Sequence, residues 1–188
     1  MVIAREAKRV DGLVRELLDL ARPAALHAGP VSVHDLAEHV LVLASGVPGG
    51  DRVTFVRRYD PSLPSVRGDQ EKLTQVLLNL VRNALDAVAA VDEPKVALET
   101  GVAPIRIRAA SGRTRPLARI SVQDNGRGIP EAMLQRLFTP FATSKPHGTG
   151  LGLAISRRII EAHGGRIEVK NRSGGGVEAT VYVPLDLP

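Results

Sequence analysis

The chain has 188 residues, of which 44% are hydrophobic and 24% charged, so it is long enough for one domain with a complete core. It contains no cysteine, which excludes a disulfide framework and a thiolate zinc site and fits a reducing compartment such as the cytoplasm. The net charge of +5 comes from dispersed basic residues and aromatics make up only 3%, which favours a solvated basic surface over a nucleic-acid-binding site. No uninterrupted apolar run is long enough to span a bilayer.

The sequence predicts three segments: an amphipathic helix over residues 2–22, a Pro-, Ala- and Gly-rich linker over 23–30, and one domain over 31–188. The helix carries its apolar residues on one stripe and stops before Pro23. Such a stripe needs a partner, so we expect the helix either to pack on the domain or to be half of a helical hairpin. We also expect the chain to be a truncated part of a longer protein.

The domain has the pattern of a mixed α/β layer, with several strands and about three major helices on one face. Helices are predicted over roughly 33–45, 69–90, 130–137 and 151–163. Strands are predicted at 31–32, 51–59, 95–101, 105–110, 117–123, 166–170 and 177–183. Ser32 and Asp69 are good N-caps, and Gly164 with Gly165 ends the last helix.

Two glycine-rich turns stand out. Asp124-Asn125-Gly126-Arg127-Gly128 follows a predicted strand, and Gly148-Thr149-Gly150-Leu151-Gly152-Leu153 opens a helix. Glycines let the backbone approach a ligand closely, and a helix N-terminus offers unpaired N–H groups to an anion. The pair predicts a nucleotide site, with the base at the first turn and the phosphates at the second. Each turn alone has a plainer explanation, an Asx turn at Asp124 or a glycine helix cap.

Asn79 and Asn83 lie four residues apart on the long predicted helix and therefore share a face. Asparagine is a mediocre helix former, so two at this spacing need a reason. Their amide oxygens suit a divalent metal such as Mg²⁺, which prefers oxygen ligands and shares its shell with phosphates. The alternative is two exposed amides on the polar side of a helix.

Taken in order, these motifs resemble the ATP-binding catalytic domain of bacterial two-component sensor histidine kinases, members of the GHKL group. The resemblance runs from about Val31 to Leu185 and implies a two-layer α/β sandwich of the Bergerat type. The matching strings are "NLVRNALDAV", "DNGRGIP", "LFTPF", "GTGLGLAIS" and "GGGVEATVYVPL". A narrower resemblance, to the NtrB-type nitrogen-regulation kinases, rests on "VALETGVAPIRIRAASG", "TSKPHGTGLGLA" and "LARPAALHAGPVSVHDL".

The resemblance implies a role for each matching residue. Asp124 would accept a hydrogen bond from the exocyclic amine of adenine, Asn83 would coordinate Mg²⁺ with help from Asn79, and Lys145 would pair with the terminal phosphate of ATP. Lys145 is equally consistent with a solvated loop lysine. Phe138 and Phe141 would anchor a lid over residues 138–150, unless they simply pack in the core. The remaining nucleotide-binding residues implied are Gly126, Gly128, Ile129, Thr143, Gly148, Thr149, Gly150, Leu151, Gly152 and Thr180.

The resemblance also bears on the reaction. Related ATPases of the group carry a glutamate at position 79 that activates water, whereas an amide is not a useful base at neutral pH. Asn79 therefore favours phosphoryl transfer to a protein histidine over an ATPase. A non-catalytic nucleotide-binding module is a further alternative, which Asn83 and Asp124 disfavour.

No histidine in the sequence fits the family's phosphoacceptor pattern, an acidic neighbour with a proline a few positions later. His34-Asp35-Leu36 is similar, but no proline follows, and His147 falls in the lid. The acceptor is therefore expected outside this chain, on a dimerisation hairpin whose second helix would end at residue 22. Expected partners are ATP or ADP, that hairpin, an NtrC-like response regulator and, in the full-length protein, a second copy of the chain.

Overall fold

The computed structural model describes residues 26–108, 114–143, 145 and 148–187, with Gly12 and Leu18; at 104–108 and 114 it describes the backbone alone. The predicted helix over 2–22 lies outside these residues apart from Gly12 and Leu18, which are helical. No helix in the described part is both long and apolar enough to cross a membrane.

The described residues fold into one mixed sheet with helices on one face, as the sequence predicted. The sheet has five strands: Thr54–Arg58 (β2), Lys95–Arg108 (β4), Thr114–Asp124 (β5), Arg166–Asn171 (β6) and Val177–Pro184 (β7). Their spatial order is β2–β4–β5–β7–β6. Strand β2 is parallel to β4, and the other neighbours are antiparallel. Two short strands, Gly29–Val31 (β1) and Val66–Gly68 (β3), pair separately.

Four helices complete the described fold: Val33–Ser45 (α1), Gln70–Val88 (α2), Glu131–Leu134 (α3) and Gly152–Ala162 (α4). A 3₁₀ turn, Gly50–Arg52, precedes β2. Both predicted caps are present, because Ser32 Oγ accepts the N–H of Asp35 and Asp69 Oδ1 accepts the N–H of Lys72. The predicted stripe of α2 is buried against the sheet; its members are Leu73, Val76, Leu77, Leu80, Ala84 and Val88.

Strand β4 departs from the prediction of two strands at 95–101 and 105–110. It is one long strand whose pairing with β5 is irregular between Val102 and Arg106, with a register shift at that point. A bulge of this kind bends a strand without ending it. Strand β3, between Pro64 and Asp69, was not predicted because three residues give too short a pattern.

The face of the sheet opposite the helices is polar. A row of ionic side chains crosses all five strands there: Arg58, Glu99, Arg119, Glu178 and Lys170. Underneath these long side chains, the hydroxyls of Ser121 and Thr180 bond each other at 2.9 Å and are buried. One face of this sheet is therefore covered by helices and the other by its own charged side chains.

His163, at the C-cap of α4, joins α4 to α2. Its Nδ1 lies 2.7 Å from the carbonyl oxygen of Ile159, and its Nε2 accepts the N–H of Asp69 at 2.9 Å. These bonds assign the ring proton to Nδ1 in the neutral imidazole. Asp69 caps α2, so the C-terminus of α4 is bonded to the N-terminus of α2.

Candidate functional site

Asp124 lies at the end of β5 and is 5% exposed. Its Oδ1 accepts the N–H groups of Gly126 at 2.8 Å and Val177 at 3.2 Å, and no described residue bonds to Oδ2. Burial raises the pKa of the Asp124 carboxyl, although the two N–H groups and nearby Arg172 act in the opposite direction. The result is a fixed carboxylate with one oxygen left as an acceptor.

The segment between β6 and β7 fixes the loop after Asp124. Asn171 bonds both backbone groups of Ile129: its Oδ1 accepts the N–H at 2.8 Å and its Nδ2 donates to the carbonyl at 2.7 Å. Arg172 donates from Nη1 to the carbonyl of Asp124 at 2.8 Å. Gly176, with φ of +81°, passes so close to that carbonyl that a Cβ would clash with it. The first glycine turn is thus held in place by the segment between β6 and β7, which includes Gly176.

Asn79 points from α2 toward α4. Its Nδ2 donates to Ser156 Oγ at 3.0 Å, and its Oδ1 lies where a Cβ on Gly152 would clash. These contacts favour a role for Asn79 in joining the two helices over its predicted role as an assisting metal ligand. They also explain why glycine is needed at the first residue of α4.

Asn83, one turn along α2, bonds the lid lysine. Lys145 Nζ lies 2.7 Å from Asn83 Oδ1 and 2.6 Å from Asp86 Oδ2. The prediction placed Asn83 and Lys145 in one site, and the structure brings them together. Asp86 was not predicted, because a carboxylate on the polar side of a helix has no distinguishing pattern.

The second glycine turn and the lid pack against each other. Phe141 has φ of +67°, and its N–H bonds the carbonyl of Gly150, where a Cβ would meet the Phe141 backbone. Thr143 Oγ1 accepts the N–H of Lys145, and Thr149 Oγ1 accepts the N–H of Leu151. The predicted Gly148 adjoins Thr143, and Leu151 is fully buried at the start of α4.

The two predicted lid phenylalanines differ. Phe138 is half-buried, with the guanidinium of Arg157 5.6 Å from its ring centroid. The Phe141 side chain is 64% exposed, so its packing does not anchor the lid, contrary to expectation. His147 lies outside the described residues.

Thr180 is the predicted residue that the structure separates from the others. It pairs with Ser121, three positions before Asp124 on β5, so its hydroxyl lies on the opposite face of the sheet from the Asp124 carboxylate. The assignment of Thr180 to the nucleotide site is therefore corrected. Val177, three positions earlier on β7, reaches Asp124 instead through its backbone N–H.

The elements that carry Asp124 and Asn83 adjoin each other. Ala87 follows Asn83 by one turn of α2, and a Cβ on Gly126 would strike its carbonyl oxygen and side chain. Asp124 and Asn83 thus belong to elements in direct contact. A cleft of about 410 Å³ lies between α2 and the segment from Val47 to Val53; its lining includes Asp86 but neither Asp124 nor Asn83.

His34, the nearest sequence look-alike of a phosphoacceptor, is part of the packing of α1. Its Nε2 lies 3.1 Å from Thr100 Oγ1, and its ring stacks on Tyr59 with centroids 5.2 Å apart.

Comparison with known proteins decides the family. Residues 68–187 match the family described as "Histidine kinase-, DNA gyrase B-, and HSP90-like ATPase". The chain belongs to this ATPase family. The matched range includes α2, the lid and both glycine turns, so the predicted resemblance to a sensor histidine kinase domain is confirmed.

Similar curated proteins of this ATPase family are sensor kinases. The chain is 41% identical over 184 residues to the sensory histidine kinase/phosphatase NtrB of Salmonella typhimurium, covering 98% of this chain and 51% of that protein. It is 36% identical over 187 residues to the sensor histidine kinase ZraS of Klebsiella oxytoca, covering 99% of this chain and 38% of that protein. The chain thus spans about half or less of these relatives.

Solved structures show the same fold. Full-length ShkA in complex with AMPPNP superimposes with a TM-score of 0.78 at 28% identity, covering 98% of this chain and 38% of that chain. The histidine kinase ThkA, in complex with the response regulator protein TrrA, superimposes with a TM-score of 0.74 at 28% identity, covering 98% and 49%. The predicted α/β sandwich is confirmed.

Proposed function

We propose that this chain is the ATP-binding catalytic domain of a two-component sensor histidine kinase, and that it donates the γ-phosphoryl group of ATP to a histidine outside this chain. The observation that carries the proposal is Asp124: a carboxylate 5% exposed, held through Oδ1, with Oδ2 unbonded among the described residues. An acceptor of this kind, beside a glycine turn, suits the exocyclic amine of adenine.

The phosphates would lie at the start of α4, where Gly148, Thr149 and Gly150 bring the backbone close and the helix N-terminus favours negative charge. Lys145, which bonds Asn83 and Asp86 in this structure, would pair with the terminal phosphate after a change of partner. The donor set fits Mg²⁺, because Asn83 Oδ1 and Asp86 Oδ2 already converge on the positive charge of Lys145 Nζ. When bound, Mg²⁺ would neutralise charge on the phosphates during transfer.

The chain's own part in the reaction would be positioning. Asp124 and the loop clamped by Asn171 orient the base, Asn83 orients the cation, and the lid limits access of water. Position 79 holds an amide that bonds Ser156, so the site offers no carboxylate there to activate water. Steady ATP turnover by the isolated chain would instead favour the ATPase alternative.

We further propose an NtrB-type role in which an NtrC-like regulator receives the phosphoryl group, supported by the strings "TSKPHGTGLGLA" and "LARPAALHAGPVSVHDL". The matches to NtrB and to ZraS are equally close and support a sensor histidine kinase of either type. The full-length protein should then transfer phosphate faster to an NtrC-type receiver domain than to a receiver from another class. Equal rates of transfer to the two receiver domains would contradict the NtrB-type role but not the proposed histidine kinase function.

The test of nucleotide binding is calorimetric titration of ADP with and without Mg²⁺. We expect the wild type to bind, Mg²⁺ to strengthen binding, and Asp124→Asn to lose about tenfold or more in affinity, since a hydrogen bond to a charged group contributes about 1.5–3 kcal/mol. Asp35→Asn is the matched control, because Asp35 is exposed and lies in the first turn of α1, outside the loop that follows β5. Equal affinity in the wild type and Asp124→Asn would contradict the proposal.

The test of the acceptor's location uses γ-labelled ATP. The chain alone should stay unlabelled, and adding the phosphoacceptor hairpin of the full-length protein should give labelled hairpin. A stoichiometric phosphohistidine on the chain itself would refute the proposed location.

A further inference from the structure

Asn83, Asp86 and Lys145 form a compact cluster on the polar face of α2. Asn83 and Asp86 are three residues apart, so their side chains leave the helix on the same side. An amide oxygen at 2.7 Å and a carboxylate oxygen at 2.6 Å meet one ammonium nitrogen. We call these two oxygens, Asn83 Oδ1 and Asp86 Oδ2, the cation seat.

We propose that the cation seat is occupied in turn by two cations: the ammonium of Lys145 in the nucleotide-free domain and the hydrated metal of the nucleotide in the loaded domain. Asp86 is thereby a further metal-site residue, and Lys145 competes with the metal for the seat. The proposal rests on the proposed function, because the metal is the one that accompanies ATP.

The chemistry of the seat supports exchange. Carboxylate and amide oxygens are ligands that Mg²⁺ and Mn²⁺ prefer, directly or through water, and phosphates and water supply the rest of their shell. Two oxygens are therefore enough, although the described residues include no cluster of three His, Cys, Asp or Glu side chains. Lys145 and the metal cannot share the seat, since like charges on the same oxygens repel.

The exposure of the cluster makes the exchange feasible. The side chains of Lys145 and Asp86 are 39% and 60% exposed, and ion pairs in such positions are weak. A terminal phosphate, with more negative charge than Asp86, would draw Lys145 away. ATP would thus both carry the metal in and remove its competitor, whereas ADP would only carry the metal.

The seat is tested in the nucleotide-free chain with Mn²⁺ alone, read by electron paramagnetic resonance. Lys145→Met removes the competing ammonium, so we expect Mn²⁺ to bind about fivefold more tightly than to the wild type, the upper range for an exposed ion pair. Adding Asp86→Asn to Lys145→Met should abolish that gain. Lys170→Met is the matched control, because Lys170 Nζ also bonds a carboxylate, Glu178, at 2.8 Å but lies on β6.

Two results would overturn the proposal: equal Mn²⁺ affinity in the wild type and Lys145→Met, or a gain that persists when Asp86→Asn is added. Thermal unfolding curves establish that each variant is folded, as expected for substitutions at exposed positions. Mn²⁺ binding is measured without nucleotide, so its result is independent of ADP binding. Unchanged Mn²⁺ affinity in Lys145→Met would overturn the cation seat, whereas absence of ADP binding would overturn the proposed function.

Discussion

At the scale of single residues, Asp124 combines burial with ionisation. Burial raises the pKa of its carboxyl above the ordinary value of 3.8, against the effect of two N–H donors. The protonated form is therefore favoured in the folded state more than in the unfolded state. As pH rises above 3.8, the unfolded state ionises first, so the free energy of unfolding falls until the raised pKa is passed.

We therefore predict that Asp124→Asn, which keeps an acceptor at Oδ1 but no charge, is at least as stable as the wild type at pH 7. The advantage of the variant should shrink as pH is lowered toward 4, because the wild-type carboxyl becomes neutral. Urea unfolding of both proteins at pH 4 and pH 7 measures this. If the stability advantage of Asp124→Asn increased as the pH fell, the pKa of the Asp124 carboxyl would not be raised in the folded state.

Gly152 gives a second prediction at this scale. A Cβ there would clash with Asn79 Oδ1, so Gly152→Ala should push Asn79 away from Ser156. Overpacking of this kind costs about 1–3 kcal/mol of stability and should also weaken ADP binding by displacing the start of α4. The measurements are urea unfolding and ADP titration.

Gly174→Ala is the control for Gly152→Ala, because a Cβ at Gly174 meets no heavy atom within 4 Å. If the ADP affinities of Gly152→Ala and Gly174→Ala are equal, the contact between α2 and α4 does not position the phosphates.

At the scale of elements, two asparagines clamp neighbouring loops with the same chemistry. Asn171 bonds the N–H and carbonyl of Ile129, while Asn125 accepts the N–H of Lys95 and donates to the carbonyl of Glu93, both at 2.8 Å. The first clamp holds the loop after Asp124, and the second holds the start of β4.

We predict that Asn171→Ala and Asn125→Ala lose similar stability, about 1–2 kcal/mol for two hydrogen bonds each. The two variants should differ in nucleotide affinity. Asn171→Ala should bind ADP about tenfold more weakly, because the loop it holds is the one proposed to contact the base, and Asn125→Ala should lose much less. ADP titration of both variants decides this, and equal losses would assign both clamps a purely structural role.

The elements also show which features the sequence can predict. The caps at Ser32 and Asp69 and the apolar stripe of α2 depend on residues within a few positions of each other, so they were predictable. The Asn171–Ile129 and Lys145–Asp86 contacts join residues 42 and 59 positions apart, and no local pattern marks them. Thr180 was misplaced because the register of β7, and not its glycine motif, decides which face a side chain takes.

At the scale of the whole molecule, the ionic row on the outer face of the sheet connects all five strands. Glu178 is central to it, bonded by Lys170 at 2.8 Å and Gln123 at 3.0 Å. Burial opposes ionisation of Glu178, but these bonds and nearby charges outweigh it and lower the pKa of its carboxyl below 4.5. The stability it contributes is present above 4.5 and is lost as pH falls through the lowered pKa.

We predict that Glu178→Gln lowers the free energy of unfolding by about 1.5–3 kcal/mol at pH 7, the range for a hydrogen bond to a charged group, and that the difference disappears at low pH. Urea unfolding across pH 3 to 7 measures it. Glu93→Gln, whose ion pair with Lys95 is exposed, is the control and should change nothing measurable. If the loss of stability in Glu178→Gln does not change with pH, the charge of Glu178 does not contribute to the stability of this face of the sheet.

The bonds between α2 and α4 have a mechanical consequence. Two hydrogen bonds join the helices at different levels, Asn79 with Ser156 and Asp69 with His163, so we expect the two helices to shift together. A displacement of α4 is therefore expected to be passed to α2, the helix that carries Asn83 and Asp86.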